Sequence, residues 1–229
     1  MVFTDPFCAW CWASEPQLRR LRWEFGDGVA ITFVIAGLRR RLDDGPALAA
    51  DALDAAARSG MPLDARVFLR DPPGSTHPAG LAVCAVAEQH GGARAEPYLR
   101  RLREAILLEG RRRDSAAALQ DAARELGPAH PLDMDRLRSD FASSAIVERF
   151  GGGLARRRAR GRRRAGRRAR ARRRGRPAAL RRDGDRRGGR GLRISASTGS
   201  HGSRRAVARG LEWRVRPRRV PGGELWEVA

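Results

Sequence analysis

The sequence predicts an α/β fold with a large helical insertion, and three observations carry that prediction. Residues 1–36 read as strand, helix and strand, with a Cys-x-x-Cys pair at the first turn. Residues 44–150 change to helical spacing. From Gly151 the composition turns to arginine and glycine, so the C-terminal half of the sheet has no visible source of strands for some fifty residues. The expected organisation is a β-α-β unit at 1–43, a helical insertion at 44–150, an Arg/Gly-rich low-complexity segment at 151–200 and a returning C-terminal tail at 201–229.

Met1-Val2-Phe3-Thr4 supplies the first strand. The next stretch, Asp5-Pro6-Phe7-Cys8-Ala9-Trp10-Cys11-Trp12-Ala13-Ser14-Glu15-Pro16, holds two of the three cysteines. A helix follows over Glu15–Phe25, with Leu18, Leu21, Trp23 and Phe25 as its apolar residues and arginines at 19, 20 and 22. Gly26-Asp27-Gly28 ends it, since glycine accepts the backbone of a helix C-terminus. Val29 to Ile35 is β-branched and apolar on both faces, as a strand covered on both sides must be.

The insertion divides at its own punctuation. Pro46–Ser59 is alanine-rich and stops at Gly60, and Pro62-Leu63-Asp64 opens a short element ending near Arg70. Asp71 to Pro78 holds three prolines and a glycine and reads as a loop. Ala79–His90 is an apolar helix closed by Gly91-Gly92, and Glu96–Gly110 sets Leu99, Leu102, Ile106 and Leu107 at helical spacing. Asp114 or Ser115 caps a helix that reaches Leu126, and Asp133 caps another carrying Leu137 and Phe141.

The cysteine pair carries the chemistry. Helix N-termini present unpaired N–H groups and a partial positive charge, both of which favour thiolate over thiol. The thiolate is the nucleophile of disulfide exchange. Cys8 is therefore expected to attack a disulfide, and Cys11, one turn later, to resolve the mixed disulfide. The same pair serves as half of a zinc site in other settings, with Cys84 and one of His77, His90, His130 or His201 completing it. None of those residues lies in a second paired motif, so no metal and no cofactor are expected. Cys84, between Val83 and Ala85, reads as a core residue. Trp10, Pro6 and His77 are the candidates for lining a substrate groove. Trp12 is expected in the core, and Asp5 either moves protons near Cys8 or caps the helix.

The charge of +21 is unevenly placed. Residues 1–150 carry 20 Arg and 21 acidic residues, whereas residues 151–200 carry 20 Arg and 2 Asp. Lysine is absent, although both cations bind phosphate, which points to a coding bias rather than to selection for phosphate contacts. The longest apolar run, Val29–Leu38, is too short for a bilayer span, and no secretory signal is visible. A cytoplasmic protein without membrane contact is expected.

The run Asp5-Pro6-Phe7-Cys8-Ala9-Trp10-Cys11-Trp12 resembles the active-site signature of the DsbA-like branch of the thioredoxin superfamily. It is most similar there to the cytoplasmic ClpXP-adaptor-like and polyketide-cluster oxidoreductase-like members. Gly60-Met61-Pro62, Asp71-Pro72-Pro73 with Ser75, Pro78-Ala79, and Leu99 to Gly110 extend the likeness over the first 150 residues or so. The resemblance implies a thioredoxin-like fold interrupted by helices, with dithiol–disulfide exchange at Cys8 and Cys11 on protein or small-molecule thiols and disulfides. It also covers adaptors and isomerases that do no exchange, so that class stays open.

A thioredoxin-like fold implies two more strands, a cis-proline facing the cysteines and a closing helix. Pro177, the proline in the basic zone, has no strand pattern around it and is not given that role. Three readings of residues 151–200 stand: a basic tail for nucleic acid or another acidic partner, a linker without a partner, and a stretch translated out of frame. The scarcity of apolar residues favours the third, and nucleic acid is not the expected partner.

Overall fold

The computed structural model describes residues 1–90, 95–141 and 143–173, with the backbone alone of 163–173, 204–208, 211–220 and 223–228. The first strand, β1 (Val2–Thr4), leads through a turn into helices α1 (Ala9–Ala13) and α2 (Glu15–Phe25). Ser14 joins the two helices, and Pro16 sits in the first turn of α2, where its missing N–H is not needed. A 3₁₀ turn at Gly26–Gly28 then leads to β2 (Val29–Ala30) and β3 (Phe33–Ile35).

β3 pairs with β1 in parallel, Val2 opposite Phe33 and Thr4 opposite Ile35, which makes the expected β-α-β unit. The apolar run from Val29 to Ile35 is not one strand. Its second half pairs with the three-residue β1, while Val29 and Ala30 pair with Trp226 and Glu227 of β6 (Gly223–Val228). β6 continues antiparallel to β5 (Leu211–Val220), and β5 to β4 (Arg204–Ala208). Among the described residues seven helical segments lie between β3 and β4: α3 (Gly45–Ser59), α4 (Val67–Arg70), α5 (His77–His90), α6 (Ala95–Leu107), α7 (Ala116–Arg124), α8 (Met134–Asp140) and α9 (Ser144–Arg173).

The caps follow their sequence signals. Asp44, Ser115 and Asp133 each accept a backbone N–H three residues on, at Ala47, Ala118 and Arg136. The core gathers α5 and α6 against α7 and α8, and continues through α3, which packs on α1 and α4. Ala82, Val86, Tyr98, Leu102 and Ile106 are fully shielded within it, as are Trp12 and Leu137 or nearly so. Cys84 is buried in α5, as its neighbours predict.

Helix α9 crosses residue 150, where the composition changes. Ile146 and Phe150 are buried, and Leu154 packs against the same core. The approach is close enough to require glycine. A Cβ on Gly153 would lie 2.5 Å from the Ile35 carbonyl oxygen, and one on Gly80 would lie 2.7 Å from the Phe150 ring. Gly37, with φ of +48°, faces Phe150 and Leu154. The basic run therefore begins as a docked helix. Residues 174–203, Pro177 among them, lie outside the described residues, and no cis peptide bond occurs among those described.

Candidate active site

Cys8 is the N-cap residue of α1, with extended backbone at φ −83° and ψ 109°. Its sulfur accepts the Cys11 N–H at 3.2 Å, which places it on one of the unpaired donors of the helix N-terminus. Asp5 fixes the preceding turn. Its fully buried carboxylate accepts the N–H of Phe7 at 2.9 Å and of Leu38 at 2.8 Å, tying the cysteine turn to the chain after β3. Burial pushes the Asp5 carboxyl above the ordinary range, against these hydrogen bonds, Thr76 and the charge of Arg103.

The two thiols hydrogen-bond to each other. That bond pulls Cys11 down to about 7, against desolvation, with the nearby Arg103 guanidinium assisting. The same bond, followed by burial, pushes Cys8 well above the ordinary thiol value. These opposite shifts describe one shared proton: the pair loses its first proton near neutrality and holds its second beyond the ordinary thiol range. The backbone donor rests on Cys8, so the proton can pass along the thiol–thiol bond and leave Cys8 charged. Burial pushes Cys84 up to about 11, which keeps it protonated and inert.

Cys8 faces a cavity. A hollow of about 440 Å³ is lined by Cys8 and Trp10 together with Asp51, Thr76, Arg39 and Arg157, and Cys11 does not reach it. Phe7, Leu42 and Phe68 give it apolar wall. The Trp10 indole N–H donates to Asp51 Oδ1 at 2.8 Å, and Arg58 lies over its ring, so the tryptophan is fixed beside the cysteine. Trp12 points the other way, with 1% exposure and its indole N–H on the Pro62 carbonyl. A larger cavity of about 470 Å³ is lined by Cys84, Met1 and Ile35 and touches neither thiol of the pair.

Of the groove candidates, Trp10 lines the cavity; Pro6 and His77 do not. Pro6 is buried in the turn that Asp5 holds. His77 opens α5 and sets its ring edge-on to Phe150 at 5.1 Å, a packing role that turns it toward α9. Sequence reasoning missed Arg39, Thr76, Asp51 and Arg157, which come from four separate parts of the chain. Among the described residues no group of three or more His, Cys, Asp and Glu side chains converges as a metal site would need.

The family model described as thioredoxin matches residues 1–154. The chain belongs to the thioredoxin family. The match ends at Leu154, inside α9. Among curated proteins the chain is similar to the ClpXP adapter protein SpxH of Halalkalibacterium halodurans, 32% identical over 157 residues, covering 64% of this chain and 50% of that protein. The chain spans about half the length of the curated relatives it matches. Among solved structures it is similar to one from Nitrosomonas europaea, described provisionally as a protein disulfide isomerase, with TM-score 0.59 and 20% identity over 69% of this chain and 77% of that one. The cytosolic disulfide reductase DsbM from Pseudomonas aeruginosa, solved with GSH, gives TM-score 0.55 and 24% identity over 69% and 79%. At these identities the likeness shows the fold. The thioredoxin-like fold with a mainly helical insertion and a small sheet is the family's own. Among the described residues no helix is long and apolar enough to cross a membrane.

Proposed function

We propose that this chain is a DsbA-like thiol–disulfide oxidoreductase, exchanging disulfides of protein or small-molecule partners through Cys8 and Cys11. The observation that supports the reading is the placement of Cys8, which caps α1, accepts the Cys11 N–H at 3.2 Å and lines the cavity.

The chemistry balances without a bound cofactor. The Cys8 thiolate attacks one sulfur of a substrate disulfide and expels the other as a thiolate, leaving Cys8 in a mixed disulfide. The Cys11 thiolate then attacks the Cys8 sulfur and expels the second substrate thiolate. The substrate gains two electrons, its thiolates take up the protons the pair released, and Cys8–Cys11 is left as a disulfide. An external thiol reduces that disulfide by the same two steps in reverse. A cytoplasmic setting suits a pair that is reset by thiols, and the similar DsbM structure is described as a cytosolic disulfide reductase.

The curated relatives favour a second reading, since they are named as ClpXP adapters: the fold would present a partner, with the cysteines idle. Catalysed reduction of a disulfide-bonded peptide by a small thiol separates the two. The full chain should accelerate it and Cys8→Ser should not. Equal rates for the two chains, at the level of the uncatalysed reaction, would reject the oxidoreductase reading in favour of the adapter.

A further inference from the structure

The cavity in front of Cys8 holds two guanidiniums that no carboxylate takes up. In the helical insertion Arg101 is spent on Glu109 and Glu125, and Arg112 on Asp71 and Asp114. Arg39 and Arg157 line the cavity, and neither forms an ion pair among the described residues. Arg157 follows Phe150 and Leu154 along the docked side of α9, past the residue where the family match ends. Its Nη1 rests on the carbonyls of Ala36 and Gly37, at 3.4 Å each, which orients the group without cancelling its charge. Arg39 is anchored through its backbone. Its N–H donates to the Thr76 hydroxyl at 3.3 Å, and its carbonyl accepts the Thr76 hydroxyl and N–H at 3.1 Å each. Thr76 is buried, so the loop before α5 clamps Arg39 at the edge of the cavity.

The acids of the same cavity do not offset this pair. Asp5 is fully buried, and its two oxygens accept the N–H groups of Phe7 and Leu38. Burial also pushes its carboxyl toward the protonated form. Asp51 holds the Trp10 indole N–H. A guanidinium carries five donors and no acceptor. The Nε and Nη2 edge of Arg157 is unused, and the Arg39 side chain makes no hydrogen bond among the described residues. Unspent donors on two cations call for a ligand that brings its own anionic oxygens.

We propose that Arg39 and Arg157 make Cys8 selective for disulfides flanked by carboxylates. This rests on the oxidoreductase reading above and adds the charge of the substrate. An incoming sulfur must come within bonding distance of Cys8 while the groups beside it occupy the rest of the cavity. Phe7, Leu42 and Phe68 give those groups apolar wall, and the two guanidiniums are the free cations they meet. Each guanidinium can take a carboxylate through two parallel N–H bonds. Both also counter the repulsion between the Cys8 thiolate and an acidic substrate, and a cleft with free charges of one sign concentrates ligands of the other. The exchange itself is unchanged: Cys8 bonds to one substrate sulfur and the other leaves as a thiolate.

The test follows exchange by the full chain on three capped peptide disulfides that differ only beside the cysteine, with Glu, Gln or Lys there. At low salt the Glu peptide should exceed the Gln peptide about tenfold in kcat/KM, mostly through KM, and the Lys peptide should be slowest. Added salt should narrow the gap. Cystine against its dimethyl ester repeats the comparison on a small molecule, and a preference found only there assigns the site to small acidic disulfides. Arg157→Gln and Arg39→Gln should each cut the Glu-to-Gln ratio several-fold, and Arg157→Glu should turn the preference toward Lys. Arg158→Gln, exposed and outside the cavity, should leave the ratio in place. Equal rates within both comparisons, or a ratio that Arg158→Gln lowers as much as Arg157→Gln and Arg39→Gln do, would overturn the proposal. A second readout needs no exchange: labelling of Cys8 in the Cys11→Ser chain by iodoacetate against iodoacetamide. That ratio should be several-fold higher in the folded chain than in urea, and Arg157→Gln should lower it. If the parent exchanges no disulfide, the oxidoreductase reading fails, and a labelling ratio equal to that in urea would overturn the anion preference as well.

Discussion

Replacing Gly153 with alanine should loosen helix α9 from strand β3, although alanine is the better helix former. The added Cβ would sit 2.5 Å from the Ile35 carbonyl oxygen and 3.5 Å from Val34 Cγ1. The first contact is with backbone, so no side-chain rotation relieves it. The helix must retreat by about 1 Å to restore ordinary separation. That retreat strips contacts from Phe150 and Leu154 and costs about 1–3 kcal/mol, as overpacking does. Alanine returns about 1 kcal/mol of helix propensity, so the net change is a loss of about 1 kcal/mol. Gly152 is the internal control: nothing lies within 4 Å of its Cβ position. Gly152→Ala should therefore stabilise by about 0.5–1 kcal/mol. Urea unfolding followed by circular dichroism compares the two. If Gly153→Ala stabilises as much as Gly152→Ala, α9 is not seated on β3 and the reasoning fails.

The pair's first proton is lost near neutrality, so alkylation of the reduced chain should rise as pH passes through about 7, the value to which Cys11 is pulled. The same shift sets a stability trend: the folded thiol ionises before the unfolded one, so the reduced chain gains stability from pH 7 toward 9 and loses it as pH falls back through 7. Cys84 should stay unlabelled at pH 8 in the folded chain and react once the chain is unfolded, which mass spectrometry of digested protein will report. Asp5→Ala leaves the N–H groups of Phe7 and Leu38 unpaired and should cost about 2 kcal/mol or more, with a matching loss in thermal midpoint.

The front of the molecule was legible because local signals there agree with the fold. The caps at Ser115 and Asp133 and the glycines at 26 and 60 lie where composition puts them, and the proline loop from Asp71 gives way to α5 at His77, two residues before the expected Ala79. The strand expected over Val29–Ile35 divides because β1 offers only three residues to pair with, which no pattern within the run could reveal. Helix α9 was hidden by its arginines and by Gly151-Gly152-Gly153, which read as a break. Its apolar stripe of Ile146, Phe150 and Leu154, four residues apart, was nonetheless present in the sequence. The cysteines and Trp10 announced the site, while Arg39, Thr76 and Arg157 reach it only through tertiary folding. Arg103 left a trace: a charged residue on the apolar face of α6 is a position that asks for a partner.

In the proposed exchange Cys8 is the sulfur that meets a substrate. The direct measurement takes the full chain with Cys11→Ser, incubates it with cystine or a disulfide-bonded peptide, and maps the adduct by mass spectrometry. The geometry predicts a stable mixed disulfide on Cys8, the thiol that lines the cavity. An adduct confined to Cys84, or none at all under conditions that oxidise a free thiol, would contradict it.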